Sequence, residues 1–440
     1  MRVSIFGAGG YVGCVSGACL AQMGHNVIGV DVNASKVAMI NQGLPPVIEV
    51  GLTELLAAVT KEGTFSATEA WQEAIAVSDV ALVCVGTPSR PNGSLTTDLV
   101  ERVCEQIGTA LAAKDVYFVV VIRSTVLPGT VERIVIPILE ARSGKTAGRD
   151  FGVCMVPEFL REGTSVKDFF HPPRTVIGEL DCRAGSTVAA LFDGIEAPLI
   201  RTKIRVAESL KYADNAFHAL KVTFANEIGT ICKAADCDSH EVMDIFCMDS
   251  KLNLSPYYLK PGFAFGGSCL PKDLRALTYH ARTLDVSTPL LDAILVSNRK
   301  QIERATVLLQ KYKGRSLGFL GLSFKHGTDD LRESPILEVI ETMLGKGFRV
   351  SIYDEFVSIA RLVGANKEYI LKEIPHVSSL MRSSAEELVR DSDVIVVSNA
   401  SEKFRKVLEQ TLQPDQVLVD LVRIIENHEE LKSEYHGICW

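Results

Sequence analysis

The sequence predicts an α/β protein in which two Rossmann-like, doubly wound parallel-sheet domains are joined by a long central helix and a small helical domain. Three observations carry this expectation. A glycine-rich turn, GAGGYVG (residues 7–13), stands between a short apolar run and a helix of small residues. The same succession of segments returns near the C-terminus without those glycines. Between the two copies, residues 206–235 read as one helix, with no proline and a single late glycine.

Residues 3–6 make the first strand and residues 15–23 its helix. Residues 26–30 make a second strand that ends in Asp31, 18 residues beyond Gly13. This is a βαβ unit with a glycine turn at its first crossover. Glycines let the backbone approach a pyrophosphate, and the helix N-terminus supplies N–H donors and positive potential. A carboxylate at Asp31 accepts hydrogen bonds from ribose hydroxyls and repels a 2′-phosphate, which selects NAD over NADP. Strand-like runs follow at residues 80–85, 117–122 and 152–156, with helix-like stretches between them.

The second copy is weaker but ordered. RSLGFLGLSF (residues 315–324) parallels MRVSIFGAGG at the N-terminus, and GFRVSIYDEF (347–356) parallels GHNVIGVDVN (24–33). SDVIVVSNAS (392–401) parallels SDVALVCVGT (78–87). Order and spacing are both kept, which marks a second Rossmann-like domain without the dinucleotide fingerprint. A chain of 440 residues exceeds one hydrophobic core. It divides on this reading into a dinucleotide-binding domain (1–203), a central helical domain suited to subunit contact (204–310) and a C-terminal Rossmann-like domain (311–440).

Composition excludes several functions. A hydrophobic fraction of 47% with 23% charged residues is ordinary for a globular chain. The net charge of −8 offers no basic surface to a nucleic-acid backbone. No apolar run approaches the ~20 residues needed to cross a bilayer. Gly7, Gly9, Gly10 and Gly13 interrupt the N-terminal apolar stretch, which reads as strand and loop rather than a signal peptide. The eleven cysteines are odd in number and scattered, with no CxxC and no zinc-type Cys/His spacing. They fit a reducing cytoplasm and no metal.

Three groups of residues carry chemistry. In FGGSCLPKD (265–273), Cys269 is either a passive thiol or a nucleophile. Gly266 and Gly267 open the backbone beside it, Lys272 supplies positive charge, and Asp273 is placed to handle water. On the long helix, Lys211, Asn215 and His218 are spaced four and three apart and share a face. They are either a solvated stripe or an oxyanion-stabilising set. Glu158 and Glu162 in PEFLREG (157–163) are either a surface pair or site carboxylates.

The order of motifs settles the choice by resemblance. GTP (86–88), STVLPGT (124–130), PEFLREG, AESLKYADN (207–215), FGGSCLPKD and GLSFKHGTDDLRESP (321–335) together resemble the UDP-glucose/GDP-mannose dehydrogenase family across essentially the whole chain. Within it, KLNLSPYYLKPGFAFGGSCLPKD (251–273), GANKEYI (364–370), IPHVSS (374–379) and the terminal GICW are similar to members acting on GDP-mannose, with UDP-glucose the alternative substrate. The resemblance implies a four-electron oxidation of the sugar C6 hydroxyl of GDP-mannose to GDP-mannuronate by two NAD, in the service of an acidic, alginate-type polysaccharide. Cys269 matches the residue that forms a thiohemiacetal and then a thioester. Lys211 and Asn215 match the residues that polarise the C6 oxygen, and Asp273 and Glu158 match those that handle water and protons.

Cofactor roles are implied for Tyr11, Val12, Asp31 and Lys36, for Thr87 and Thr125, and for Lys272 and Arg332. Sugar-nucleotide roles are implied for Glu162, Lys211, Asn215, His218 and Asn226, for Tyr257, Tyr258, Phe263 and Gly266, and for Lys325 in a C-terminal domain that holds the sugar nucleotide. A homodimer built on the central helix is also implied, with Lys260 of a partner chain reaching the substrate pocket. Three positions depart from the family pattern. The glycine turn has one residue more than GxGYVG, Val156 replaces a polar residue before Pro-Glu, and Lys260 replaces an arginine and so lacks its bidentate fork.

Overall fold

A computed structural model of the chain describes residues 1–234, 236–251, 258–283, 285, 288–357 and 377–440. Tyr257, GANKEYI and the first half of IPHVSS lie outside the described residues. The chain forms two compact units, Met1–Asp214 and Asn215–Trp440.

The first unit is built on eight strands: β1 (Arg2–Phe6), β2 (Asn26–Val30), β3 (Phe65–Thr68), β4 (Val80–Val83), β5 (Val119–Ile122), β6 (Gly152–Met155), β7 (Thr175–Glu179) and β8 (Leu199–Lys203). Their order is β3-β2-β1-β4-β5-β6-β7-β8. The central strands are short apolar runs because both faces are covered. In β5, Val119 and Val121 enter one core while Val120 and Ile122 enter the other, as the strand period requires.

One feature differs from the all-parallel expectation: β6 and β7 are antiparallel. A parallel return needs a covering crossover helix, and residues 156–174 hold only the six-residue helix Ser165–Phe170. The first helix also begins earlier than its apolar pattern suggests, at Tyr11, inside the glycine motif. It is buried continuously from Gly13 to Ala21. Its small residues allow that approach, since a Cβ on Gly17 would lie 2.7 Å from the Phe65 ring.

Among the described residues, the second unit carries a five-stranded parallel sheet of β9 (Leu317–Leu320), β10 (Val350–Tyr353), β11 (Val394–Val397), β12 (Val417–Asp420) and β13 (Glu434–Gly437). Its order is β10-β9-β11-β12-β13, so β10-β9-β11 repeats the β2-β1-β4 arrangement of the first sheet, as the sequence repeat requires. The central helix runs Ile204–Ala234, 31 residues, and carries the chain from one unit into the next. Among the described residues, no helix is long and apolar enough to cross a membrane.

Candidate active site

In the first sheet the strand order reverses between β1 and β4, and ligands of such sheets bind beyond the C-terminal strand ends at that point. The glycine turn leaves β1 there. Gly7 has φ +84°, and a Cβ on Gly13 would run into the Gly7 carbonyl oxygen, so the turn closes only with glycine at both. Gly10 caps the helix without any side-chain hydrogen bond, and no acidic residue stands in the first turn. Thr87 Oγ1 donates to the Thr125 carbonyl (2.8 Å), and Ser124 Oγ donates to the Val85 carbonyl (2.6 Å). These bonds tie the loops after β4 and β5 together. A tight turn, an uncapped helix start and a carboxylate at the end of β2 suit a dinucleotide.

Gly9 of the lengthened turn is held against the end of β2 and the helix that follows it. Gly9 N–H donates to Asp31 Oδ2 (2.8 Å), and Lys36 Nζ donates to the Gly9 carbonyl (2.7 Å). A Cβ on Gly9 would strike both side chains. Asp31 Oδ1 accepts the Asn33 N–H at 3.0 Å. Asp31 and Lys36 thus shape the phosphate loop itself. The Tyr11 hydroxyl, for its part, donates to Glu49 and accepts from Ser165 Oγ.

Glu158, just after β6, forms an ion pair of 2.8 Å with Lys211 on the central helix, with side-chain exposures of 9% and 6%. Burial alone would push the Glu158 carboxyl up. The Lys211 ammonium outweighs it, with help from Arg123 and the Leu160 N–H, and the acid is held below its usual range. Phe159 lies against both the Lys211 ammonium (5.9 Å) and the Arg174 guanidinium (5.1 Å). Glu162 is half-buried in the same loop. Val156 is 2% exposed within the core, which explains an apolar residue there.

Glu208, one turn before Lys211, is a residue the sequence reading missed. Fully buried, it accepts the Gly129 and Val131 N–H groups at 2.5 and 2.9 Å and so fixes the STVLPGT loop. Nothing local distinguishes it from a surface glutamate of the helix.

In the second unit, Asn215 Nδ2 donates to Asp273 Oδ2 (2.5 Å), and Lys272 Nζ lies 2.7 Å from Asp273 Oδ1. Asp273 is 2% exposed and sits in the first turn of the helix Leu270–Thr283. Cys269 immediately precedes that helix, and its carbonyl accepts the Asp273 N–H at 2.9 Å. A helix start favours negative charge on the residue that caps it. Cys269 is exposed, whereas Cys14, Cys84 and Cys104 are buried and burial pushes each of their thiols up to about 12.

Gly266 and Gly267 do not serve to open the backbone. A Cβ on Gly266 would meet the Glu333 carbonyl, and one on Gly267 (φ +86°) would lie 2.7 Å from the Phe324 ring. The pair lets the cysteine segment press against the 324–335 loop. Asn298, also missed, clamps the same segment by exchanging two 2.9 Å bonds with the Phe265 backbone. Asn226 likewise holds backbone, at Gly262 (2.9 Å) and Phe263 (3.1 Å).

The remaining positions fall into three places. Phe263 and Lys325 line a cavity of about 270 Å³ with Ser323 and Asn399. His218 and Tyr258 have ring centroids 4.9 Å apart, and Lys260 is exposed. Arg332 makes a forked pair with Asp330 at 2.8 and 2.6 Å. Asp354, the counterpart of Asp31 in the repeat, accepts the N–H groups of Leu322, Ser323, Phe356 and Val357. Asp31 accepts the Gly9 and Asn33 N–H groups in the same way, so the repeat extends to this carboxylate but not to the glycine turn. Lys211 and Asn215 stand one turn apart on the continuous central helix.

A glycine turn at the switch point of a doubly wound sheet defines a dinucleotide-binding protein. Three family models match in sequence: the UDP-glucose/GDP-mannose dehydrogenase NAD-binding domain over residues 1–196, the central domain over 205–300 and the UDP-binding domain over 318–427. The chain belongs to the UDP-glucose/GDP-mannose dehydrogenase family, and its cofactor is NAD.

The chain is 51% identical over 440 residues to the GDP-mannose 6-dehydrogenase of Pseudomonas syringae pv. tomato, covering 100% of both. It is 33% identical over 443 residues to a UDP-glucose 6-dehydrogenase of Haloferax volcanii, covering 99% of both. Among solved structures, a UDP-glucose dehydrogenase from Pyrobaculum islandicum matches with TM-score 0.90 at 34% identity, covering 100% of this chain and 97% of that one. A ternary complex of GDP-mannose dehydrogenase from Pseudomonas aeruginosa matches at 51% identity and TM-score 0.58, covering 100% of both.

Proposed function

We propose that the chain oxidises GDP-mannose at C6 to GDP-mannuronate, reducing two NAD, by way of a thioester on Cys269. The observation that carries the chemistry is Cys269 at a helix start, with Asn215, Lys272 and Asp273 bonded together one turn into that helix. When bound, NAD accepts hydride. Lys211 and Asn215 hold the C6 oxygen, and Glu158 takes its proton in the first oxidation. Cys269 Sγ then adds to the aldehyde carbon, its proton passing to the oxygen, because a free carbonyl has no hydride to give. Loss of hydride and proton from that thiohemiacetal leaves the thioester. Water positioned by Asp273 cleaves it, releasing the carboxylate and restoring the thiol.

GDP-mannose is preferred to UDP-glucose as substrate because relatives named for it are 51–52% identical over their full length, against 33% for those named for UDP-glucose. With equal concentrations of the two sugar nucleotides, GDP-mannose should be consumed first. Faster consumption of UDP-glucose would overturn the substrate and leave the chemistry standing.

Function divides the chain into residues 1–203 for NAD, 204–310 for subunit contact and 311–440 for the sugar nucleotide. A homodimer is supported by Val206, Phe217 and Phe224, which are 40–51% exposed along one face of the central helix. Lys260 of a partner chain would then reach the substrate. Eleven scattered cysteines with no CxxC among them fit work in the cytoplasm. The product suits an acidic, alginate-type polysaccharide.

A further inference from the structure

Glu49 is 6% exposed and lies outside every motif that the chemistry uses. It stands between the helices Ala34–Asn41 and Leu52–Lys61. Its Oε2 accepts the Tyr11 hydroxyl and the Gly163 N–H (2.8 Å), and its Oε1 accepts the Ser165 N–H at 3.2 Å. Ser165 Oγ donates in turn to the Tyr11 oxygen at 3.0 Å. A buried carboxylate is costly unless hydrogen-bonded, and this one is bonded on both oxygens. Its partners are the first residue of the dinucleotide helix and the end of the loop that carries Glu158 and Glu162. Burial and the Glu49 contact push the Tyr11 phenol well up, so the hydroxyl stays a donor.

We infer that Glu49 is a positioning residue: through Tyr11 it locks the 157–165 loop to the first turn of the dinucleotide helix, so that NAD binding and ordering of the loop are one event. Linkage makes the effect reciprocal. The inference rests on NAD binding at the glycine turn and is independent of which sugar nucleotide reacts.

The test is amide hydrogen exchange at Gly163 and Ser165 in the full chain, with and without NADH, beside NADH affinity measured by fluorescence. In the wild type NADH should slow both amides by about tenfold or more, the scale of one charge-assisted hydrogen bond. Tyr11→Phe keeps the volume and both Glu49 bonds to the loop. Its amides should start out protected but gain less than about threefold from NADH. In Glu49→Gln they should exchange faster before NADH is added. Equal NADH-induced protection in the wild type and Tyr11→Phe overturns the inference, as does a wild type without it. Loss of NADH binding by Tyr11→Phe with its Gly163 and Ser165 still protected overturns it too, since the tyrosine would then serve the cofactor alone.

Discussion

Lys211 and Glu158 form an ion pair of 2.8 Å, each side chain more than nine-tenths buried. Removing one partner of such a pair costs about 3–5 kcal/mol, because the other charge is left without compensation. Lys211→Met should therefore lower Tm and reduce kcat together. The stability loss has a sign in pH. The native Glu158 sits below the usual carboxylate range, so its contribution is present above the unfolded pKa of about 4.3 and lost as pH falls through the lower native value. Without Lys211, burial reverses that shift. The Tm deficit of the variant should be largest near pH 7 and shrink toward pH 4; a deficit constant across that range contradicts the pairing.

Gly267 offers a test of how the cysteine segment is held. At φ +86° and 2.7 Å from the Phe324 ring, an added Cβ meets both backbone strain and a clash. Gly267→Ala should destabilise by about 2 kcal/mol or more and depress kcat. Adding Phe324→Leu should relieve the clash but not the strain. An unchanged Tm for Gly267→Ala would mean that the segment does not press on that loop.

What the sequence made legible was local. The βαβ unit, the repeat of β2-β1-β4 as β10-β9-β11 and the unbroken central helix are written in contiguous residues. So is the setting of Cys269, because helix start, lysine and aspartate follow it within four positions. Glu49, Glu208 and Asn298 were invisible for the opposite reason. Each is a single polar residue whose partners lie far off in the chain, 79 positions in the Glu208–Gly129 bond. The strand β7 was not foreseen at all, because TVIGE is short and without alternation, and nothing local marks its antiparallel direction. The glycine pair was seen but misread, since only the fold shows Phe324 and Glu333 against it.

The C-terminal unit should hold the sugar nucleotide. Lys325 lines its cavity with Ser323 and Asn399, while the glycine turn of the first unit is not repeated there. Lys325→Ala should raise the GDP-mannose KM by about tenfold or more, the scale of one hydrogen bond to a charged group, and leave the NAD KM nearly unchanged. The reverse pattern in steady-state kinetics would exchange the ligands of the two sheets.

Cys269→Ser changes one atom at an exposed helix start and should leave NAD and sugar-nucleotide binding intact. Serine is a far poorer nucleophile near neutral pH, since so little of it is ionised. Turnover should fall by several orders of magnitude, a barrier increase of at least ~4 kcal/mol. Ester that forms slowly on the variant should appear as added mass on the intact protein. The same change at Cys14, Cys84 or Cys439, all buried, should cost stability at most. Near-normal turnover by Cys269→Ser would return Cys269 to a passive thiol.

The number of NADH formed per GDP-mannose consumed to completion tests the central claim most directly. A four-electron route through a Cys269 thioester requires two, with a carboxylate as the sole product. A yield of one, with the aldehyde released, would make the chain a simple alcohol dehydrogenase and contradict the account.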